Sequence, residues 1–280
     1  MTDVLRVLTW NCRRASRYSP AWDYLLELDP DIALLQDFGK IPPRVLEIYA
    51  TAPDMTSVDK EGKAAKHHAE VFAKGTISRR LDLPAPEEWI TRELDAYRTF
   101  FTARHVTLNS GLHLTAMSFY SPAFLLDTSR LEGVDTSSIR LPQHSKIFGT
   151  ELLWATLGAM KIRPEERFVV AGDFNSSETF DIPKPRGNRD IMDRLNSLGL
   201  TEVLRVSRGE LTPTFRHSTG SIDHQIDHMY VSDRLLGELD SCDVGSAERV
   251  FGRNPMLSDH LPIVADFQIA QHKMHTPIEA

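Results

Sequence analysis

The chain has 280 residues, 41% of them hydrophobic and 25% charged, with 15 glycines and a formal net charge of −7 at pH 7. That length buries most of its apolar surface without staples, and the composition excludes a mainly disordered or a collagen-like chain. The 32 Lys and Arg against 39 Asp and Glu exclude a cationic sheath over the whole surface, but not a local basic groove, because only the contacted face sets counterion release.

Val4 to Trp10 reads as a strand, with Asn11 where it ends. Ser19-Pro20 has the form of a helix start, and Trp22, Leu25 and Leu26 fall on one face before Pro30,. Ile32 to Gln36 is a short apolar run that suits a buried strand,. Thr51 to His68 is polar and reads as a loop. Glu70 to Arg79 reads as two short strands around a hairpin-like turn at Lys74-Gly75, and Leu83 to Glu88, with two prolines, as irregular,. Thr99 to Leu108 and Leu112 to Tyr120 read as strands joined at Asn109-Ser110-Gly111,. A helix is expected over Ser145 to Lys161, with Phe148, Leu152 and Trp154 toward the core, and another over Arg189 to Leu198, stopped by Gly199,. Phe168 to Ala171, Gln225 to Val231 and the alternating Leu261 to Ile269 read as strands,. Without repeat or linker, three helices among many strands indicate one α/β domain with a large sheet core, residues 1–270, and a tail at 271–280,.

The two cysteines, Cys12 and Cys242, are too few for a disulfide framework or a structural zinc site,. They fit a reducing cytoplasm. MTDVLRVLTW carries Asp3 and no long apolar run, so no secretory leader is expected,. No stretch reaches the ~18 apolar residues of a membrane span. A cytoplasmic protein with no membrane partner is expected; oligomeric state is not readable.

Carboxylates and amides gather next to the apolar strands. Trp10-Asn11 ends the first strand and Gln36-Asp37 the second. Gly172-Asp173-Phe174-Asn175 follows a third, Asp227 lies within Gln225 to Val231, and Ser258-Asp259-His260 precedes the last. Each has two readings. Asp and Asn after a strand form turns, and a strand end also holds a ligand more firmly than a loop does. A set of Asp, Asn and His without a Cys pair suits Mg²⁺ or Mn²⁺.

Taken together, Trp-Asn, Leu-Leu-Gln-Asp, Ala-Gly-Asp-Phe-Asn, Gln-Ile-Asp-His-Met-Tyr-Val-Ser and Leu-Ser-Asp-His-Leu-Pro-Ile, in this order between Trp10 and Ile263, resemble the endonuclease/exonuclease/phosphatase superfamily. The resemblance implies the deoxyribonuclease-I-like fold: an α/β four-layer sandwich of two packed mixed β-sheets flanked by helices, with the active site at one edge. It also implies a metal-dependent phosphodiester hydrolase. By that resemblance Asn11 and Asp37 help hold a divalent metal, Mg²⁺ or Mn²⁺. Asp173 and Asn175 contact the phosphate, a second metal position or the attacking water. Asp259 and His260 form the final pair, and Asp227 supports His260. Metal contacts are thus expected from Asn11, Asp37, Asp173, Asn175, Asp259 and His260. Catalytic roles fall to Asp173, Asn175, Asp227, His260 and Tyr120.

Two departures stand out. The family acid after Leu-Gln is usually Glu, and here it is Asp37, one methylene shorter. Tyr120-Ser121-Pro122 is similar to the apurinic-endonuclease branch, but Ala123 stands where that branch has Asn. Tyr120 is a candidate phosphate-contacting hydroxyl, with packing at a strand end as its other reading. His113 reads as a strand residue only. Arg13, Arg14 and Arg17, and Lys184, Arg186 and Arg189, form two clusters that could grip phosphate or be solvated charge,. Phe215 and His217 resemble an aromatic segment that borders the family's cleft, where stacking on a base and packing both remain open,. The implied function is a metal-dependent phosphoesterase, a nuclease with nucleic acid as substrate. The alternative is a phosphatase or phosphodiesterase acting on a small phosphorylated molecule or lipid headgroup. A non-catalytic binding protein on the same scaffold is a third reading.

Overall fold

In the first strand Leu5 and Val7 face one way and Leu8 and Trp10 the other, and all four are buried. A strand buried on both faces needs a layer on each side, and that requirement builds the whole architecture. The computed structural model describes residues 2–52, 54–55, 68–123, 126–139, 146–252 and 254–270. Residues 56–67 of the expected loop, Ser145 at the expected helix start and the tail at 271–280 lie outside the described residues.

The strands are β1 (Thr2–Ala15), β2 (Ile32–Phe38), β3 (Ala69–Ala73), β4 (Gly75–Ile77), β5 (Phe101–Leu108), β6 (His113–Tyr120), β7 (Leu126–Asp127), β8 (Lys146–Ile147), β9 (Phe168–Asp173), β10 (Leu200–Glu202), β11 (Asp227–Ser232), β12 (Leu239–Val244) and β13 (Ile263–Ala270). The helices are α1 (Ala21–Leu28), α2 (Pro43–Leu46), α3 (Glu88–Ala96), α4 (Gly149–Met160), α5 (Asn188–Asn196), α6 (Val203–Arg208), α7 (Asp233–Gly237) and α8 (Ala247–Phe251). One sheet runs β12-β13-β1-β2-β3 and the other β10-β11-β9-β6-β5-β4, while β7 and β8 form a small separate ribbon.

Alternation sorts the apolar side chains into three buried layers. Leu5, Val7, Ile32 and Leu34 meet Val106, Ala116, Val169 and Met229 between the sheets. Leu8, Trp10 and Leu35 pack outward against Trp22 and Leu25 of α1, Val45 of α2 and Val250 of α8. Phe101, Phe119, Phe168 and Tyr230 pack outward against Trp89 of α3, Leu152 and Leu157 of α4, and Met192 of α5. The result is the four-layer α/β sandwich, helices outside and two mixed sheets within.

Each sheet contains one parallel pair, β1 with β2 and β6 with β9. Antiparallel β13 lies beside β1, and antiparallel β11 beside β9. The C-terminal ends of β1, β2, β6 and β9 therefore share one edge of the molecule with the starts of β11 and β13. Every polar strand-end motif falls on that edge.

Several local readings differ from the sequence expectation; the helix expected from Ser145 begins at Gly149, after the short strand β8. Lys74-Gly75 is not a hairpin: β3 and β4 belong to different sheets, and the chain crosses between them there. Gly75 serves a close approach, since a Cβ would stand 2.1 Å from the Thr107 carbonyl oxygen. The expected three helices are joined by α3 and by the short α2, α6, α7 and α8. Asp227 is the first residue of β11, so its side chain sits at the edge rather than mid-strand. Among the described residues no helix is long and apolar enough to cross a membrane.

Candidate active site

Asp173 closes β9 and is 1% exposed. Its position depends on Gly172, where a Cβ would stand 1.7 Å from the Phe119 carbonyl oxygen, so only glycine lets β6 and β9 pair this closely,. The register sets Asp173 opposite Tyr120 on β6 and opposite Asp227 on β11. The chain then turns through Asn175 at φ 45°, a left-handed conformation that Asn tolerates,. That turn aims the Asn175 backbone N–H at Asp173 Oδ1 (2.9 Å) and its Nδ2 at Asp173 Oδ2 (3.1 Å) and the Ser121 carbonyl (2.7 Å). Across the seam between the sheets, Asn11 Nδ2 donates to Asp173 Oδ2 at 2.9 Å. The Asn11 Oδ1 accepts the Arg13 N–H at 2.9 Å.

His260 faces this carboxylate. Its Nδ1 lies 2.9 and 3.0 Å from the two oxygens of Asp227, and its Nε2 is 3.8 Å from Asp173 Oδ2. Bonding at Nδ1 fixes the ring and directs Nε2 to the Asp173 side. Ser258 Oγ accepts the His260 N–H (3.1 Å) and donates to the Asn11 carbonyl (2.7 Å). Trp10 Nε1 donates to the His260 carbonyl at 2.8 Å, and the Phe215 ring lies 5.0 Å from the imidazole. Thr214 Oγ1 donates to Asp227 Oδ2 at 2.7 Å.

Burial sets the electrostatics. Asp173 is pushed up to about 7 by burial, reinforced by Asp227 and opposed by His260 and by hydrogen bonds from Asn11 and Asn175,. Burial pulls His260 down, but the charges of Asp227 and Asp173 outweigh it and raise the imidazole to about 9. Tyr120, whose ring stacks on Phe100 at 5.3 Å, has its hydroxyl pushed up first by burial and then by Asp173, Asp37 and Asp259. Three carboxylates of the cleft thus act on one phenol. Asp173, Asp227 and His260 present ligand atoms within 4.8 Å of one another.

Asp37 and Asp259 lie outside that tight cluster. Asp37 sits at φ 47° in the last residues of β2, with its backbone N–H on the His68 carbonyl and Arg14 Nε 3.8 Å from its Oδ1. Asp259 is 3.5 Å from Arg13 Nε. Of the second basic cluster, Arg186 lines a cavity of about 480 Å³ with Asn175, Ser121, Phe148, Phe180 and His224. Arg189 pairs with Glu178 at 3.7 Å. Phe215 packs on His260, while His217 is exposed. Thr214 and Ser258 are the contributors that the sequence reading passed over. Their signal was a hydroxyl residue beside each motif, in Thr-Phe-Arg-His and Ser-Asp-His.

A family model described as "Endonuclease/Exonuclease/phosphatase family" matches residues 8–260. The chain belongs to the endonuclease/exonuclease/phosphatase family, a family of phosphoester hydrolases. No curated protein matches it by sequence. Among solved structures, a 3′-5′ exonuclease from Neisseria meningitidis is 18% identical with a TM-score of 0.65, over 94% of this chain and 100% of its own. An AP endonuclease from Archaeoglobus fulgidus is 16% identical with a TM-score of 0.66, over 95% of this chain and 100% of its own. A Neisseria 3′ phosphatase bound to a product DNA hairpin is 17% identical with a TM-score of 0.63, over 94% and 99%. At these identities the likeness is one of fold, and it is the deoxyribonuclease-I-like fold of the family. Within this family member, Asn11, Asp173 and Asn175 form one hydrogen-bonded group and Asp227 and His260 a second, which face each other across 3.8 Å. Asp37, Asp259 and Tyr120 stand around them.

Proposed function

We propose that the protein is a nuclease that hydrolyses phosphodiester bonds by water attack with Mg²⁺ or Mn²⁺, residues 1–270 working as one domain. The observation that carries this reading is the Asp173 carboxylate, bonded by Asn11 and Asn175 and faced by a histidine anchored on Asp227. The donor set fits a hard divalent cation. It offers carboxylates and amides and no thiolate, and two buried carboxylates outnumber the single imidazolium beside them.

Asn11, Asp37, Asp173, Asn175 and Asp259 are the residues that would hold the ion. When bound, it neutralises charge on the phosphoryl oxygens and on the leaving oxygen. Asp227 is given a positioning role instead, because His260 and Thr214 already engage its oxygens. The raised pKa of His260 keeps its proton at neutral pH. Its Nε2, on the Asp173 side of the ring, is placed to donate to a phosphate oxygen or, as the neutral ring, to join the residues that would hold the ion,. Asp173, raised toward neutrality, is the group to orient and deprotonate water,. Asn175 contacts the phosphate. Tyr120, held as the neutral phenol, donates a hydrogen bond to it,.

A second reading has its own support. The cavity of about 480 Å³ beside Asn175, walled by Phe148, Phe180 and Pro183, suits the organic part of a small phosphorylated molecule or lipid headgroup,. The test is a panel of single- and double-stranded DNA, RNA and a small chromogenic phosphodiester, each with Mg²⁺ or Mn²⁺. Nucleic-acid cleavage that disappears in Asp173→Ala and His260→Ala supports the nuclease reading. Activity confined to the small ester favours the second. Inactivity on every substrate, with metal still bound, overturns both.

A further inference from the structure

We infer that the segment from Arg13 to Tyr18, which runs from the irregular last residues of β1 into the loop beyond, is a tracking ridge for a nucleic-acid strand with an unpaired nucleotide. In this assignment Arg13, Arg14 and Arg17 hold successive phosphates, and Tyr18 stacks on the unpaired base. The inference rests on the nuclease reading above and names its substrate more closely.

The backbone is the first observation. Arg13 and Arg14 are consecutive non-glycine residues in the left-handed region, at φ 45° and 54°. Such strain persists only where the surroundings over-determine it, and it gathers at functional sites. Here it turns both guanidinium groups over the cleft: Arg13 Nε lies 3.5 Å from Asp259 and Arg14 Nε 3.8 Å from Asp37. Their side chains stay 49% and 63% exposed, within reach of a ligand in solvent. Arginine forks match phosphate oxygens in pairs.

The second observation is Tyr18, at 81% the most exposed of the large apolar and aromatic side chains in the described chain. No packing accounts for it. The Arg17 guanidinium lies over its ring, 5.1 Å from the centroid. An aromatic ring and arginines side by side form the surface that binds single strands, the ring for bases and the cations for phosphates. The third observation is rigidity. Trp22 Nε1 donates to the Ser16 carbonyl at 2.9 Å, the Ser19 N–H to the same carbonyl at 2.9 Å, and the Gly39 N–H to the Ala15 carbonyl at 2.9 Å. The ridge is therefore ordered before binding, which lowers the entropic cost of ordering it on a strand.

The experiment measures anisotropy of fluorescein-labelled oligonucleotides, single-stranded, blunt duplex, and duplex with a one-strand overhang, in metal-free buffer across a salt series. The proteins are wild type, Tyr18→Ala, Arg17→Gln and Arg163→Gln, the last a surface arginine whose side chain is 66% exposed. Wild type should prefer the single strand and the overhang to the blunt duplex. Tyr18→Ala should weaken single-strand binding about 10-fold. Arg17→Gln should lower the slope of log K against log salt by about 0.7. Arg163→Gln should match wild type, and all four should melt alike. Wild-type affinity and salt slope in both ridge variants would overturn the ridge. So would absence of binding by wild type, and metal-dependent cleavage of the small chromogenic ester would then show whether the phosphoesterase reading itself survives.

Discussion

Asp173 and Asp37 are both carboxylates at the C-terminal ends of parallel-paired strands, yet they are held in opposite ways. Asp173 is nearly sealed, with donors from two asparagines at 2.9–3.1 Å and a histidine beyond. Asp37 sits on a left-handed backbone nearer the rim, with a half-exposed arginine 3.8 Å away. The inner region has its geometry fixed before anything binds, and that is what proton transfer and charge stabilisation need. Asp37, also buried, lies beside the exposed Arg14, a place that suits holding an ion and admitting a phosphate. Substitutions inside should therefore strike the rate, and substitutions at the rim should strike affinity.

The sharpest contrast comes from His260→Ala, which should lower kcat/KM on a phosphodiester by about 10²–10⁴-fold, against an unchanged circular dichroism spectrum. A smaller loss would place His260 outside the proton-transfer machinery. Asp227→Asn should cost about 10–100-fold and also move the alkaline limb of the pH–rate profile. With Asp227 present the imidazole stays protonated up to about 9, so rate falls as pH rises through that value. The Asn variant should lose activity at a lower pH, and a limb that stays in place would break the link between the two residues.

At the rim, Asp37→Ala should weaken Mn²⁺ binding by about 10-fold in calorimetry while kcat at saturating metal changes far less. Unchanged Mn²⁺ affinity would remove Asp37 from the metal site. Asp37→Glu should bind at least as tightly as wild type, since it restores the family's usual reach.

The smallest expected effect is on stability. The pKa of Asp173 in the folded state, about 7, lies above its unfolded value. Its stabilising contribution is present below about 4 and is lost as pH rises through 7. His260, raised to about 9, contributes below about 6.5 and loses that contribution as pH rises through 9. Metal-free protein should therefore lose stability through these two groups between about pH 4 and 9. Asp173→Asn should reduce the fall of the metal-free melting temperature between pH 5 and 8 by on the order of 2–4 °C, so that the variant fares better against wild type at pH 8 than at pH 5. An equal shift at both pH values would mean that burial of the charged carboxylate is not the cause.

Much of this was legible in the chain. Apolar runs closed by Asn11, Asp37 and Asp173 mark strands whose ends meet at one edge, and alternation in Leu261 to Ile269 marks β13 well. What was hidden has physical reasons. β12 is an edge strand with only Cys242 buried, so it carries no apolar period. α3 follows a proline-rich stretch and buries only Trp89, Ile90 and Glu93. Gly75 looks like a turn residue, but its small size serves the contact with Thr107, and a turn signal does not say which sheet the next strand joins. Thr214 and Ser258 act through partners that only the fold brings near: Asp227 for one, the Asn11 carbonyl for the other.

If the buried Asp173 group is the hydrolytic centre, turnover must depend on its charge. Asp173→Asn keeps the shape of that side chain and removes its charge, so its turnover of a phosphodiester with saturating Mg²⁺ or Mn²⁺ is the most direct measurement. A folded variant slowed about 10²-fold or more is the predicted result. A folded variant that hydrolyses the ester at the wild-type rate would contradict it.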